Sequence, residues 1–528
     1  LPGAGDQRAR FAAGLGFAGV AAFDAAVARA RASVESVAAT FADPAPGPRE
    51  EALGLLDPLH ARAELERLVA AAGFREVEAA ADTIEAARAR MPPAFVEQAL
   101  SSPDPDRALG HFRDLALRGS VGLMALLRDH PQLLRMLGAL FGTSDRLSDV
   151  LVHHPEMWEP FTEGLGAQVR GRVQLEERLA VHLRASADEE DMLRAIRRFQ
   201  AEEILRVGMH DVAGSLEPGD VSAQLSDIAE VCLGAGIAAV WPGLVARLGE
   251  PRTGLTVLGL GSLGAREMRY GSDLDLVFLY GDDGESTTGV LHGEWFARAS
   301  VRVISAMESL LEEGRLYRVD TRLRPSGEQG LLVTSWRAFE RYHVRDAAGW
   351  ERVALLRARI ACSSEAPDLR AERERVLAAI AFDRPIDEAS FVADLRRVRA
   401  RVERERGRVP AGSRHLRFDR GGIMDLEFLA ALGQLQHAAD PGVRTTSTVA
   451  VLDRLLALGW PEALADDYAC LRRLALRLRL ILDRPEDVIT PGDLPLLART
   501  LAADPAALGA DLDRRMARVR ALFDAKFG

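Results

Sequence analysis

The sequence predicts a mostly α protein with an α/β domain inserted in it and a helical bundle following that domain. Residues 57–250 repeat apolar positions at helical spacing almost without interruption. At Gly254 the texture changes to short runs rich in Val, Leu and Phe, and from about 365 onward helical spacing returns. At 528 residues the chain exceeds what one core supports, so three or four domains or subdomains are expected. Aromatics make up only 6% while Ala, Leu and Arg dominate, which suits packed helices better than sandwiches.

Taken in order, Phe23, Val27, Val34, Val37 and Phe41 share a helical stripe that ends at the proline-rich ADPAPGPRE (42–50). Residues 27–41 place Arg, Val and Phe much as the final helix (512–527) does, so 1–45 reads as an N-terminal helix and the tail of a preceding unit. A helical scaffold domain is expected over 46–187, punctuated by Pro92-Pro93, Pro103, Pro105, Pro131 and Pro155. The next domain, 188–365, opens with a helical run (188–216) and holds the α/β part. There TVLGLG and SDLDLVFLY are strands, 292–314 is a helix, 315–325 is a strand ended by Pro325, and 330–344 is a short strand followed by a helix. Residues 366–528 are expected to form a C-terminal helical bundle, interrupted at Gly421-Gly422 and Pro491-Gly492.

The net charge of −11, with no run of four basic residues, argues against a nucleic-acid partner, because displacing phosphate counterions takes a basic face. Cys232, Cys362 and Cys470 lie far apart and form no C-x-x-C pair; they read as small hydrophobes in a reducing compartment. No H-E-x-x-H occurs, and the neighbours His153-His154 point in different directions on a helix, so no zinc site is expected. No stretch of 18 uninterrupted apolar residues and no basic-then-apolar leader is present; no membrane partner and a cytoplasmic location are expected.

One stretch carries chemistry. Gly259-Leu-Gly261-Ser-Leu-Gly264 matches the G-x-G-x-x-G of dinucleotide-binding folds, but only seven residues separate Gly264 from the next strand. A parallel crossover needs a dozen or more. The Ser272-Asp273-Leu274-Asp275 that follows fits another chemistry. Alternation along a strand sends Asp273 and Asp275 to one face, while Leu274, Leu276 and Phe278 pack behind. Two adjacent carboxylates repel unless a cation lies between them, and Mg²⁺ takes carboxylates plus substrate phosphates. Gly261-Ser262 lets backbone and hydroxyl approach a phosphate. In Arg318-Val-Asp320-Thr-Arg322-Leu-Arg324 a period of two gathers a third acid and three arginines on one face. Asp320 is expected to hold a second metal or take the nucleophile's proton, while the arginines neutralise a triphosphate.

Gly-Ser, then D-x-D, then a separate Asp resembles the polymerase-β-like nucleotidyltransferases. The fuller strings GSLGAREMRYGSDLDLVFLY, YRVDTRLRPSGEQGLLVTS, WERVALLRARI (350–360) and GGIMDLEFL (421–429) look like glutamine synthetase adenylyltransferase, over most of 107–528. That family carries two related units, one attaching AMP to a tyrosine of glutamine synthetase and one removing it by phosphorolysis; the strings here look most like the C-terminal, adenylylating unit. The resemblance implies Asp273, Asp275 and Asp320 as catalytic and metal-binding acids. It implies Gly261, Ser262, Ser272, Arg322, Arg324, Arg357 and Arg359 around the nucleotide, and Asp425 and Glu427 close by. Asp425 and Glu427 do not share a helix face, so at most one should point inward. Mg²⁺ is the implied cofactor, ATP the substrate, and glutamine synthetase and a PII-type signal protein the implied partners. Ser262 stands where the family usually has lysine, so a phosphate-binding cation is missing from the glycine turn, and Arg420 replaces a usual proline. WERVALLRAR mixes features of both units. The reverse, deadenylylating direction and a catalytically silent helical interaction module stay open as alternatives.

Overall fold

A computed structural model describes residues 54–119, 121–153, 169–407, 409–461, 464–484 and 486–528, with isolated positions before 54. The N-terminal helix expected over 1–45 and the proline-rich linker after it lie outside the described residues. The chain forms two compact units, one of residues 1–168 and 208–217, the other of 169–207 and 218–528.

The described part of the first unit is helical, from Arg62–Ala71 to Asp145–His153. The prolines that punctuate the sequence open helices here. Pro93, Pro105 and Pro131 each sit in a first turn, where the missing N–H leaves no bond unmade. Asp104 caps the helix Pro105–Arg118 by accepting from the Arg107 N–H at 3.4 Å. Phe112 anchors the core, its ring 4.8 Å from Phe95 and 4.9 Å from Phe141.

The second unit is built on a small mixed sheet. Strands β1 (Leu255–Gly259), β2 (Leu274–Tyr280), β3 (Val319–Asp320), β4 (Val333–Ser335) and β5 (Arg359–Ser363) take the order β3-β2-β1-β5, with β4 also on β2. β1 runs antiparallel to both β2 and β5, whereas β3 and β4 lie parallel to β2. The helix His292–Glu308 provides the crossover from β2 to β3 that parallel pairing requires. Because β1 and β2 are antiparallel, the glycine motif between them does not open a dinucleotide-binding βαβ unit.

Helices cover both faces of β2, so Leu274, Leu276 and Phe278 are buried and so are Val277 and Leu279. On one side Tyr280 stacks on Phe296 of the crossover helix, ring centroids 5.4 Å apart. On the other, Leu258, Val277, Leu279 and Ile360 share a core with Leu426, Leu429, Tyr468 and Leu471 of the C-terminal helices. This common core makes 366–528 one compact unit with the sheet. The helix Pro218–Leu248 is long and apolar enough to cross a bilayer by composition. It nevertheless carries Glu230, which pairs with both Arg172 and Arg359, and it packs on the crossover helix and β5.

Several elements depart from the sequence-based expectation. The strand expected over 315–325 is only Val319–Asp320, because the chain turns immediately after Asp320. β5 forms directly after the helix Gly349–Leu356, and a second sheet pairs β6 (Arg414–His415) with β7 (Val488–Ile489). Cys232 and Cys362 are buried as expected, while Cys470 is half-exposed.

Candidate active site

The end of β1, the start of β2 and the end of β3 meet at one edge of the sheet. Parallel pairing sets Asp275 of β2 in register with Asp320 of β3. Asp273 lies exposed just ahead of β2, and Asp275 is half-buried. The backbone of Asp275 is pinned, its carbonyl accepting the Leu260 N–H at 2.9 Å. Gly261 follows at φ +54°, and a Cβ there would lie 2.2 Å from Asp275 Oδ2. Glycine is required by this close approach to the carboxylate. Behind it runs a single helical turn, Gly261–Gly264, and then Arg266 in the left-handed region at φ +58°. Arg266 is held there by two bonds to Asp227, of 2.6 and 2.7 Å; strained backbone of this kind persists when its surroundings over-determine it.

The electrostatics are those of crowded like charges. Burial, then Asp320, and more weakly Asp273, push the Asp275 carboxyl up to about 6, against the pull of Arg417 and Arg357. Burial also raises Asp320, but Arg322 overrides it and leaves that carboxyl below its ordinary value. Arg322 donates its backbone N–H to Asp320 Oδ1 at 2.8 Å and its Nε to both carboxylate oxygens at 3.0 and 2.9 Å. Among the described residues no three His, Cys, Asp or Glu side chains converge as a cage; both oxygens of Asp320 are taken by Arg322. The donors nevertheless suit a hard divalent cation, since carboxylate oxygens are what Mg²⁺ takes. A cation would also relieve the repulsion from Asp320 that adds to burial in raising Asp275.

The remaining sequence-predicted residues divide by environment. Ser262 is half-buried in the glycine turn, and its carbonyl accepts the Glu267 N–H at 2.7 Å. Ser272 closes the turn before β2, its Oγ accepting the Arg269 N–H at 3.0 Å. Arg324 donates to Thr321 O at 2.9 Å and Gly330 O at 3.3 Å, shaping the loop after β3. Arg357 is half-buried between two acids, 2.5 Å from Glu427 and 2.7 Å from Glu267. Arg359 binds Glu230 and the carbonyls of Leu263 and Gly264, so it staples the glycine turn to the long helix. Glu427 points to Arg357 and Arg417, whereas Asp425 is turned away to Arg399 and the Gly421 N–H. The helix period therefore separated these two acids as expected.

Glu267, Tyr468, Arg406 and Arg417 were not among the candidates. Glu267 accepts from Tyr468 Oη at 2.5 Å and the Thr448 N–H at 3.0 Å, tying the glycine segment to the C-terminal helices. Arg417 and Arg406 are among the charges that draw Asp275 and Asp320 down, respectively. Glu267 lies within the GSLGAREM string and Arg417 just ahead of GGIMDLEF, so proximity to motif was the one available signal.

Fold and site together define a mostly helical protein whose small mixed sheet gathers acids at one edge and arginines around them. Residues 134–374 match the family model described as glutamate-ammonia ligase adenylyltransferase, and residues 379–527 that of the GlnD PII-uridylyltransferase. The chain is 32% identical over 499 residues to a bifunctional glutamine synthetase adenylyltransferase/adenylyl-removing enzyme of Rhodopseudomonas palustris (strain HaA2), covering 90% of this chain and 49% of that protein. Similarly named proteins of Mesorhizobium japonicum and Thioalkalivibrio sulfidiphilus are each 32% identical, over 79% and 91% of this chain and 44% and 55% of their own lengths. The chain thus spans about half the length of the curated relatives it matches. The resemblance read from the motifs is borne out by this match over 134–374 and by the similarity to these relatives.

Proposed function

We propose that this chain moves AMP from ATP to a tyrosine hydroxyl of glutamine synthetase, through a polymerase-β-like nucleotidyltransferase domain that uses Mg²⁺. The observation that carries the proposal is the register of Asp275 against Asp320 beside Gly261, with burial and then like charge raising Asp275. Mg²⁺ on Asp273, Asp275 and Asp320 would neutralise the triphosphate and make pyrophosphate a better leaving group.

The protein's own groups do the rest. The pinned backbone of Asp275 fixes where its carboxylate can go. Asp320, freed from Arg322, accepts the proton of the attacking tyrosine hydroxyl. The tyrosine oxygen bonds to the α-phosphorus as the bond to the bridging oxygen breaks, and Arg322, released from Asp320, is placed to meet the departing phosphates. The Arg357–Glu267–Glu427 network holds the sheet edge against the C-terminal helices, so the acids and the helical arginines keep their spacing. The match of 379–527 to a PII-uridylyltransferase model supports a PII-type signal protein as a regulatory partner.

Direction is tested by running both reactions with the same preparation. Label passing from ATP marked at the α-phosphate onto a glutamine synthetase tyrosine supports the proposal. Phosphate-dependent release of ADP from adenylylated synthetase, without forward transfer, would reverse its direction.

A further inference from the structure

The single helical turn Gly261–Gly264 ends in a Schellman arrangement. The Arg266 N–H donates to the Leu263 carbonyl at 3.1 Å and the Glu267 N–H to the Ser262 carbonyl at 2.7 Å, around Arg266 at φ +58°. Such a closure needs a left-handed residue at this position, and glycine is its usual occupant because it has no Cβ to clash. An L side chain there is disfavoured roughly 5- to 30-fold. The backbone alone gives no reason for an arginine; its side chain does.

Arg266 reaches from the turn to the helix Pro218–Leu248. There Asp227 accepts both terminal nitrogens, Nη1 on Oδ1 at 2.6 Å and Nη2 on Oδ2 at 2.7 Å. This parallel fork is the strong, directional form of the contact. Asp227 is buried and Arg266 exposed, so the acid is the fixed end. Neighbours of Asp227 on the helix serve the same segment. Ser226 Oγ accepts the Met268 N–H at 3.4 Å. Glu230, about one turn on, holds Arg359, whose Nε and Nη2 donate to the Gly264 and Leu263 carbonyls at 3.0 and 3.1 Å. The turn is packed closely on both ends: a Cβ at Gly264 would strike the Arg357 carbonyl, and one at Gly261 the Asp275 carboxylate. Whatever fixes the Ser262–Glu267 closure therefore fixes where Gly261 stands against that acid.

We propose that Asp227 is a positioning residue for AMP transfer: its fork with Arg266 holds that residue in the left-handed conformation that closes the glycine turn, and so keeps Gly261 against the Asp275 carboxylate. This rests on the nucleotide-transfer function proposed above. Asp227 acts through the backbone of Arg266, and the role requires no contact between Asp227 and the nucleotide.

The test compares R266A with R266G, and D227A with the double variant D227A/R266G. It reads kcat for AMP transfer to glutamine synthetase and backbone amide exchange across residues 262–268. R266A and R266G leave Asp227 equally without its partner and differ in their tolerance of the left-handed backbone. The kcat of R266A should be about tenfold below that of R266G, and the Glu267 amide should exchange faster in R266A. D227A should lose about tenfold against the parent. Adding R266G should restore most of that loss, because glycine takes the conformation without the fork; a merely structural ion pair would gain nothing from removal of its second member. Equal kcat in R266A and R266G, or a double variant as slow as D227A, would overturn the proposal. Should D227A not fold, the comparison of R266A with R266G decides alone. A parent chain that transfers no AMP would refute the nucleotide-transfer function and this role with it; an active parent with equal R266A and R266G overturns the role of Asp227 only.

Discussion

Replacing Gly261 by alanine attacks the geometry of the acids without touching their charge. A Cβ at this position would lie 2.2 Å from Asp275 Oδ2 and 3.1 Å from its Cγ, whereas contacts below 3.0 Å are essentially never tolerated. The carboxylate must therefore move by roughly 1 Å, and it must do so by side-chain rotation, since the Leu260 N–H holds the backbone carbonyl at 2.9 Å. The left-handed backbone at φ +54° adds about 1–2 kcal/mol for any L side chain. A displacement of about 1 Å in a catalytic group costs on the order of 100-fold in rate. Gly261→Ala should thus lower kcat for AMP transfer about 100-fold while losing only about 1–3 kcal/mol of stability in urea unfolding. A variant with parental kcat, or one that fails only because it is unfolded at the assay temperature, would refute the placement of Gly261 against a working Asp275.

Two further outcomes follow from buried charge. Burial opposes ionisation of Glu427, but Arg357 and Arg417 override it and bring the carboxyl down to about 2, from an ordinary value of 4.5. A carboxyl depressed on folding stabilises above its unfolded value and loses that contribution as pH falls from about 4.5 through 2; the loss is about 3 kcal/mol, so urea unfolding of Glu427→Gln should show a flatter decline over that window than the parent. Arg359→Met should destabilise by about 2 kcal/mol, less than for a lone buried pair because Arg172 still meets Glu230 at 2.9 Å. Its ATP affinity should stay within about twofold, and a selective loss of ATP binding would show that Arg359 contacts the nucleotide after all.

The fold was legible wherever one periodicity ran long enough. β1 and β2 follow their apolar runs closely, and Pro93, Pro105 and Pro131 marked helix starts. The failures are short or governed by distant partners. β3 is two residues long because the turn after Asp320 brings Arg322 back onto that acid, and no alternation pattern records such a return. β6 and β7 lie more than 70 residues apart in sequence and pair over only two residues each, too few for any period to register. At the site, Asp273 and Asp275 were visible as D-x-D, and the register sets Asp275 opposite Asp320, the third acid expected from the motif. The destinations of Arg357 and Arg359 were not visible, because Glu267, Glu427 and Glu230 meet them only through tertiary packing. Arg417 was hidden for the same reason, lying 142 residues beyond the acid whose charge it favours.

The proposed AMP transfer by the acids at this sheet edge can be measured with ATP labelled at the α-phosphate, Mg²⁺, glutamine synthetase, and either the parent chain or Asp275→Asn. That variant keeps the side-chain shape and removes the raised charge. Label on a synthetase tyrosine with the parent, falling at least about 100-fold in Asp275→Asn at unchanged urea stability, is the predicted result. Equal labelling by both proteins would contradict it.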